Sequence, residues 1–221
     1  MSPARRGHCV SLLVALLILP QASTAFDTPL SETAVRDAYF LGQRHDDSLG
    51  QLLSKHSRYF QQPETGPYIQ SVSFFTPYVL VALNSSQQAG TYSAQQAQID
   101  HDKNPEVVRV VVQILLTDSY GPYVVRPTGS GANSPKGFTP RPSDFWRDFR
   151  LRTLQEGELV IPGSAKGEPS LHCEEYSCIL TGATLTFEYP ADSFTEDSAV
   201  NQIDPPEGPS ISAEFDLSRL R

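Results

Sequence analysis

The chain has 221 residues, 39% of them hydrophobic, with 17 Lys and Arg against 25 Asp and Glu and a formal charge of −8. That is enough chain for one domain or two small ones, and for a sizeable buried core. The acidity serves solubility. It argues against nucleic acid, whose phosphates need a clustered basic face, and against docking on anionic lipid.

The first 25 residues carry Arg5 and Arg6, an apolar run from Val10 to Leu19, and small residues at Ser23 and Ala25. This pattern reads as a secretory signal peptide cleaved before Phe26, its apolar run about half a membrane span. Cleavage removes two of the 17 basic residues, leaving 15 against 25 acidic and a charge of −10. Arg5-Arg6 reads as an ordinary basic n-region rather than a twin-arginine signal, because Gly7-His8-Cys9 supplies nothing apolar after it. Cys9 precedes the apolar run and is not placed for lipid attachment. The longest later apolar run, 107–116, is broken by Arg109 and Gln113, so no integral membrane segment is expected after cleavage. The protein is expected to be secreted or periplasmic. Asn84-Ser85-Ser86 fits the glycosylation pattern, which matters only in a eukaryotic secretory pathway.

Residues 28–57 read as a helical hairpin or a kinked helix. Thr28 is placed as N-cap, Pro29 in the first turn, and Leu30, Ala34, Val35, Ala38 and Leu41 recur at helical spacing before a C-cap at Gly42. Asp46 or Asp47 caps a second segment running through Leu49, Leu52, Leu53 and His56. Residues 68–75 and 78–83 are rich in β formers, and Thr76-Pro77 between them implies an edge strand or a bend. Residues 92–102 read as a short polar helix. The Val/Ile/Leu content of 106–117 predicts a central strand covered on both faces.

Residues 123–126 follow the Gly121-Pro122 turn as a short strand, and 127–143 form a long Gly/Ser/Pro loop, of a kind that is functional or disordered. Alternation over 144–154 predicts a strand that pairs with 158–161. Cys173 and Cys178 are expected to form a disulfide in an oxidising compartment. Closing so short a loop is worth roughly 2 kcal/mol at most. The alternative is a metal site on His172, Cys173, Glu174, Glu175 and Cys178, which lacks the second ligand-bearing element zinc uses. Residues 178–189 and 211–217 alternate cleanly, with Leu185, Phe187 and Tyr189 on one face of the first and Ile211, Ala213, Phe215 and Leu217 on one face of the second. Between them, 191–210 reads as an acidic, Pro-rich mobile loop. The expected fold class is α+β: an N-terminal helical element followed by a mainly antiparallel, β-sandwich-like domain of six to eight strands. The expected boundaries are a signal peptide at 1–25, a helical or mixed segment at 26–104 and a β-rich domain at 105–221, with 26–221 as one domain the alternative.

No Gly-x-Ser-x-Gly, His-Glu-x-x-His, Walker loop or Gly-x-Gly-x-x-Gly occurs. Asp100-His101-Asp102-Lys103-Asn104 imitates a calcium loop, but Pro105 and Val111 stand where glycine and glutamate are needed. His45, His56, His101 and His172 read as ordinary residues, and Glu188, Glu214 and Asp216 as a solvated face of adjacent strands. No catalytic residue, cofactor or metal is assigned. The remaining clue is aromatic: Tyr120, Tyr123, Phe138, Phe145 and Trp146 flank or lie in the 127–143 loop, and such rings either fill the core or stack on ligands. The candidate ligand-binding residues are Tyr123, Phe138 and Trp146. The expected function is a non-enzymatic exported binding or envelope-associated module, with a glycan, peptide or envelope protein as partner. The alternatives are a secreted hydrolase with a convergent His/carboxylate site, and an assembly subunit that pairs through a sheet edge.

Overall fold

The computed structural model describes residues 25–88, 90, 92–127, 136–175 and 177–220. Residues 1–24 of the expected 1–25 signal peptide and residues 128–135 of the expected Gly/Ser/Pro loop lie outside them. The fold is α+β, with a helical N-terminal part and antiparallel strand pairs in three sheets.

The helical part comprises α1 (Glu32–Gln43), α2 (Ser48–Lys55), α3 (Pro77–Gln87) and α4 (Ala94–Asp102). The first cap is Ser31, not Thr28: the Ser31 hydroxyl accepts from the Ala34 N–H, while Thr28 is drawn away to Glu106. Gly42 is not a cap either. It lies inside α1 at its crossing with α3, where an added β-carbon would stand 2.2 Å from the Ala82 carbonyl. The β reading of 78–83 is overturned as well. Thr76 caps α3, its hydroxyl accepting from the Val79 N–H, and Pro77 occupies the first helical turn, where its missing N–H costs nothing. Leu30, Ala34, Val35, Ala38, Tyr78 and Ala82 form a helical cluster of their own.

A five-stranded sheet runs β1-β2-β3-β9-β8, from β1 (Ser57–Tyr59), β2 (Tyr68–Phe75), β3 (Val107–Leu115), β8 (Ser164–Glu174) and β9 (Ser177–Pro190). It therefore takes strands from both sides of residue 104. A four-stranded sheet runs β11-β10-β6-β7, from β6 (Arg150–Gln155), β7 (Glu158–Val160), β10 (Ser198–Asp204) and β11 (Ile211–Asp216). Among the described residues the two sheets thus hold nine strands rather than the expected six to eight. Central β3 is fully covered on one face only: Val108, Val110, Val112 and Ile114 are buried, while Arg109 and Gln113 mark a partly exposed outer face. Valine on both faces hid that alternation. A bulge between Ile69 and Ser71 lets both Ile69 and Val72 point into the core.

The two sheets meet through Phe74 and Phe215, their rings 5.5 Å apart, and through Phe194, which packs edge-on to Phe74 and Tyr189. A buried polar chain also crosses the interface. The Tyr189 and Thr153 hydroxyls are 2.8 Å apart, and Thr153 donates to Asn201 Oδ1 at 2.7 Å. The stretch 191–210 is not one mobile loop, because β10 lies within it, with Ala199, Asn201 and Ile203 buried. The buried Asn201 broke the apolar alternation and concealed the strand.

Candidate functional site

The third sheet is a two-stranded hairpin, β4 (Tyr123–Pro127) against β5 (Lys136–Pro140). A strand therefore occupies part of the expected 127–143 loop. Val125 stands opposite Phe138, and Tyr123 opposite Pro140. Because side chains alternate along a strand and opposed residues share a face, Tyr123, Val125, Lys136, Phe138 and Pro140 project to one side. That side is open: Tyr123 is 55% exposed, Val125 50% and Phe138 76%. On the other face Thr139 is exposed, while half-buried Val124 lines a cleft with Arg141, Asp144, Phe145, Arg147 and Asp148.

The base of the hairpin is fixed. The Arg141 backbone N–H donates to the Pro122 carbonyl at 2.7 Å and its Nε to the Gly121 carbonyl at 2.8 Å. The Arg141 guanidinium lies 3.5 Å from the centre of the Tyr120 ring. Tyr120 is buried, and burial raises its phenol above the usual range, opposed by the Arg141 charge. Tyr120 and Phe145 are thus core residues. Trp146 is half-buried on a 3-10 helix, Phe145–Asp148, with its indole against Gly167 of β8. The fold brings Tyr123 and Phe138 onto one surface and gives Trp146 a packing contact elsewhere.

A cavity of about 350 Å³ opens between α3, α4 and the start of β3, lined by Tyr92, Asn84, Asp100, His101, Glu106 and Arg109 among others. Its polar wall is internally satisfied. Glu106 accepts from the Thr28 hydroxyl at 2.5 Å and the Leu30 N–H at 2.6 Å, and lies 2.9 Å from His101 Nε2. Asn84 donates to the Tyr92 hydroxyl at 3.3 Å, and Gln96 to Asp100 at 2.7 Å. Burial, then the Asp100 charge, raises the Tyr92 phenol. On the rim, Arg109 is engaged by Glu188 at 2.8 Å. Residues 100–104 are the end of α4 running toward β3, with the Asn104 side chain donating to the Asp100 carbonyl.

The other candidates are dispersed. His45 is exposed after α1, His56 is buried at the end of α2, and exposed His172 lies 3.2 Å from Glu174. Glu188 belongs to the five-stranded sheet and Glu214 and Asp216 to the four-stranded one, so they are not on adjacent strands. The Cys173 and Cys178 sulfurs are at bonding distance, 2.05 Å, near the β8–β9 turn. Such a pair fits a protein of an oxidising compartment. Among the described residues, no three His, Cys, Asp or Glu side chains gather as metal ligands, and no helix is long and apolar enough to cross a membrane.

The site residues missed in the sequence are Val125, Lys136 and Pro140, together with Tyr92 and Glu106 of the cavity wall. For the first three a signal existed: Tyr-Val-Val and Lys-Gly-Phe-Thr-Pro each place apolar residues two apart, across a gap rich in turn formers. No protein-family model matches this sequence, and no curated relative matches it.

Proposed function

We propose that this is a non-enzymatic exported binding module whose contact surface is the outer face of the β4–β5 hairpin, and whose partner is a polypeptide segment that is apolar and acidic. The observation that carries this is the exposure of Tyr123, Val125 and Phe138 on one face of a two-stranded ribbon. Exposed apolar residues are ordinary singly, but contiguous on a fixed ribbon they mark an interaction site. A two-stranded hairpin is marginal by itself, and a partner laid on its apolar face stabilises it. Lys136, the charged residue on the same face, favours an acidic partner. The signal-like N-terminus and the bonded cysteine pair support export.

The hydrolase reading draws on the His101–Glu106 contact. It is the weaker one, because both Glu106 oxygens already hold the 28–30 segment, and the Thr28 hydroxyl donates to Glu106 rather than to the imidazole as a nucleophile would. The test is calorimetric titration of the exported protein with short peptides alternating apolar and acidic residues, with lysine-substituted peptides and neutral oligosaccharides as controls. The acidic peptides should bind, and Phe138→Asp should weaken them at least tenfold while leaving the melting temperature unchanged. No peptide binding, or binding that survives Phe138→Asp, overturns the proposal.

A further inference from the structure

The helix α3 is apolar on two sides. Tyr78 and Ala82 fill the helical core, while Leu80 and Leu83 lie on the opposite side with Asn84, at the i, i+3, i+4 spacing of one helix face. The same spacing places Ala97, Asp100 and His101 on one face of α4. These two faces line the cavity of about 350 Å³, together with Tyr92 and Val107. Leu80, Leu83 and Val107 are only half-buried, and apolar surface in a concave site of this size is what a small organic ligand covers. The charge in the wall is negative. Asp100 accepts from the Gln96 amide at 2.7 Å and from the Tyr92 hydroxyl. Both donors are neutral, so the carboxylate keeps its charge, and they occupy two of its about four acceptor positions. His101 stands against Glu106 instead. Arg109, the one Lys or Arg among the described residues of the wall, is held by Glu188 through Nε and Nη2 at 3.0 and 2.8 Å. Asp100 also lies in the last turn of α4, at the negative end of the helix dipole, where a carboxylate is disfavoured and a cation favoured.

We propose that this cleft binds a small primary ammonium with an apolar body. The ammonium donates to Asp100, and the hydrocarbon lies on Leu80, Leu83 and Val107. The cleft shares no residue with the β4–β5 hairpin face, so it is a second binding site and stands or falls separately from the first. A free amine and the side chain of a lysine present the same charged group on the same kind of stem.

Calorimetric titration of the purified protein with n-hexylammonium chloride, near neutral pH and at low salt, tests this. The comparison ligands are n-butylammonium, hexanoate and hexan-1-ol. Hexylammonium should bind and raise the melting temperature. Affinity should rise about two- to fourfold per methylene from butyl to hexyl, and hexanoate and hexan-1-ol should bind at least tenfold more weakly. Asp100→Asn keeps an oxygen for Gln96 but removes the charge. It should weaken hexylammonium at least tenfold with an unaltered far-ultraviolet spectrum. Phe138→Asp, on the hairpin, should bind hexylammonium as the unaltered protein does. No binding of hexylammonium, equal binding of hexanoate, or undiminished binding by Asp100→Asn overturns the proposal. The ligand comparison on the unaltered protein decides the matter even where the variant fails to fold. Loss of hexylammonium binding in a folded Phe138→Asp would move the amine to the hairpin and overturn the cleft. Nα-acetyl-lysine methylamide separates the two sources, and either result supports the ammonium site: its binding beside hexylammonium identifies a lysine side chain, and hexylammonium binding without it identifies a free amine.

Discussion

Trp146 lies directly against Gly167, so close that a β-carbon built on the glycine would stand 2.3 Å from the indole Cδ2. The glycine is what lets the 3-10 helix settle on β8, and it fixes the indole as a packing group. Gly167→Ala should displace the ring, cost about 1–3 kcal/mol in chemical denaturation and shift tryptophan emission to the red as the indole gains water. Since Trp146 is the chain's single tryptophan, the signal is unambiguous. Unchanged emission with unchanged stability would show that the contact is not formed.

Glu106 ties the segment before α1 to the α4–β3 corner, and its acceptor capacity is taken by Thr28, Leu30 and His101. Removing the carboxylate leaves these donors without their acceptor. Glu106→Ala should cost about 2 kcal/mol or more, and amide exchange should rise first in α1. An equally stable Glu106→Ala would refute the clamp.

What could be read from the sequence was the part written in local pattern. The alternation of Ala213, Phe215 and Leu217 survives as a buried face. So does the helical spacing through Ala34, Val35 and Ala38. What failed depended on tertiary context. Thr76-Pro77 is as good a helix start as a strand break, and only the packing of Tyr78 and Ala82 against α1 decides between them. The strand β10 hid behind Asn201, whose burial depends on Thr153 lying across from it on β6. For the candidate site, Tyr123 and Phe138 could be named as exposed aromatics. Their junction with Val125 on one face required the β4–β5 register, which no apolar period in the intervening sequence announces.

Tyr189 is buried between the sheets, and burial raises its phenol above the ordinary value of 10.0. The folded state therefore holds this proton more tightly than the unfolded state. The resulting stability is fully present below about pH 10 and is lost as pH rises through the folded value. Tyr189→Phe should cost about 1 kcal/mol at neutral pH through the lost bond to Thr153, and should make the alkaline limb of the stability profile shallower. Parallel alkaline limbs in the two proteins would contradict this.

Glu156 and Gly157 connect β6 to β7 with φ of 47° and 86°, both left-handed. Glycine takes that conformation freely and asparagine tolerates it, whereas glutamate is disfavoured there. Glu156→Asn should raise stability by about 0.5 kcal/mol with no change in the Thr153–Val160 register. A loss of stability on that substitution would show that the Glu156 side chain contributes more than its backbone costs.

Hydroxyl-radical footprinting of the purified protein, read at single residues as a peptide of alternating apolar and acidic residues is added, tests the contact face most directly. Tyr123 and Phe138 should become protected together as the peptide is added, while Trp146 reacts at a constant rate throughout. Unchanged labelling of Tyr123 and Phe138, while the peptide is demonstrably bound, would contradict the assignment of the hairpin as the contact face.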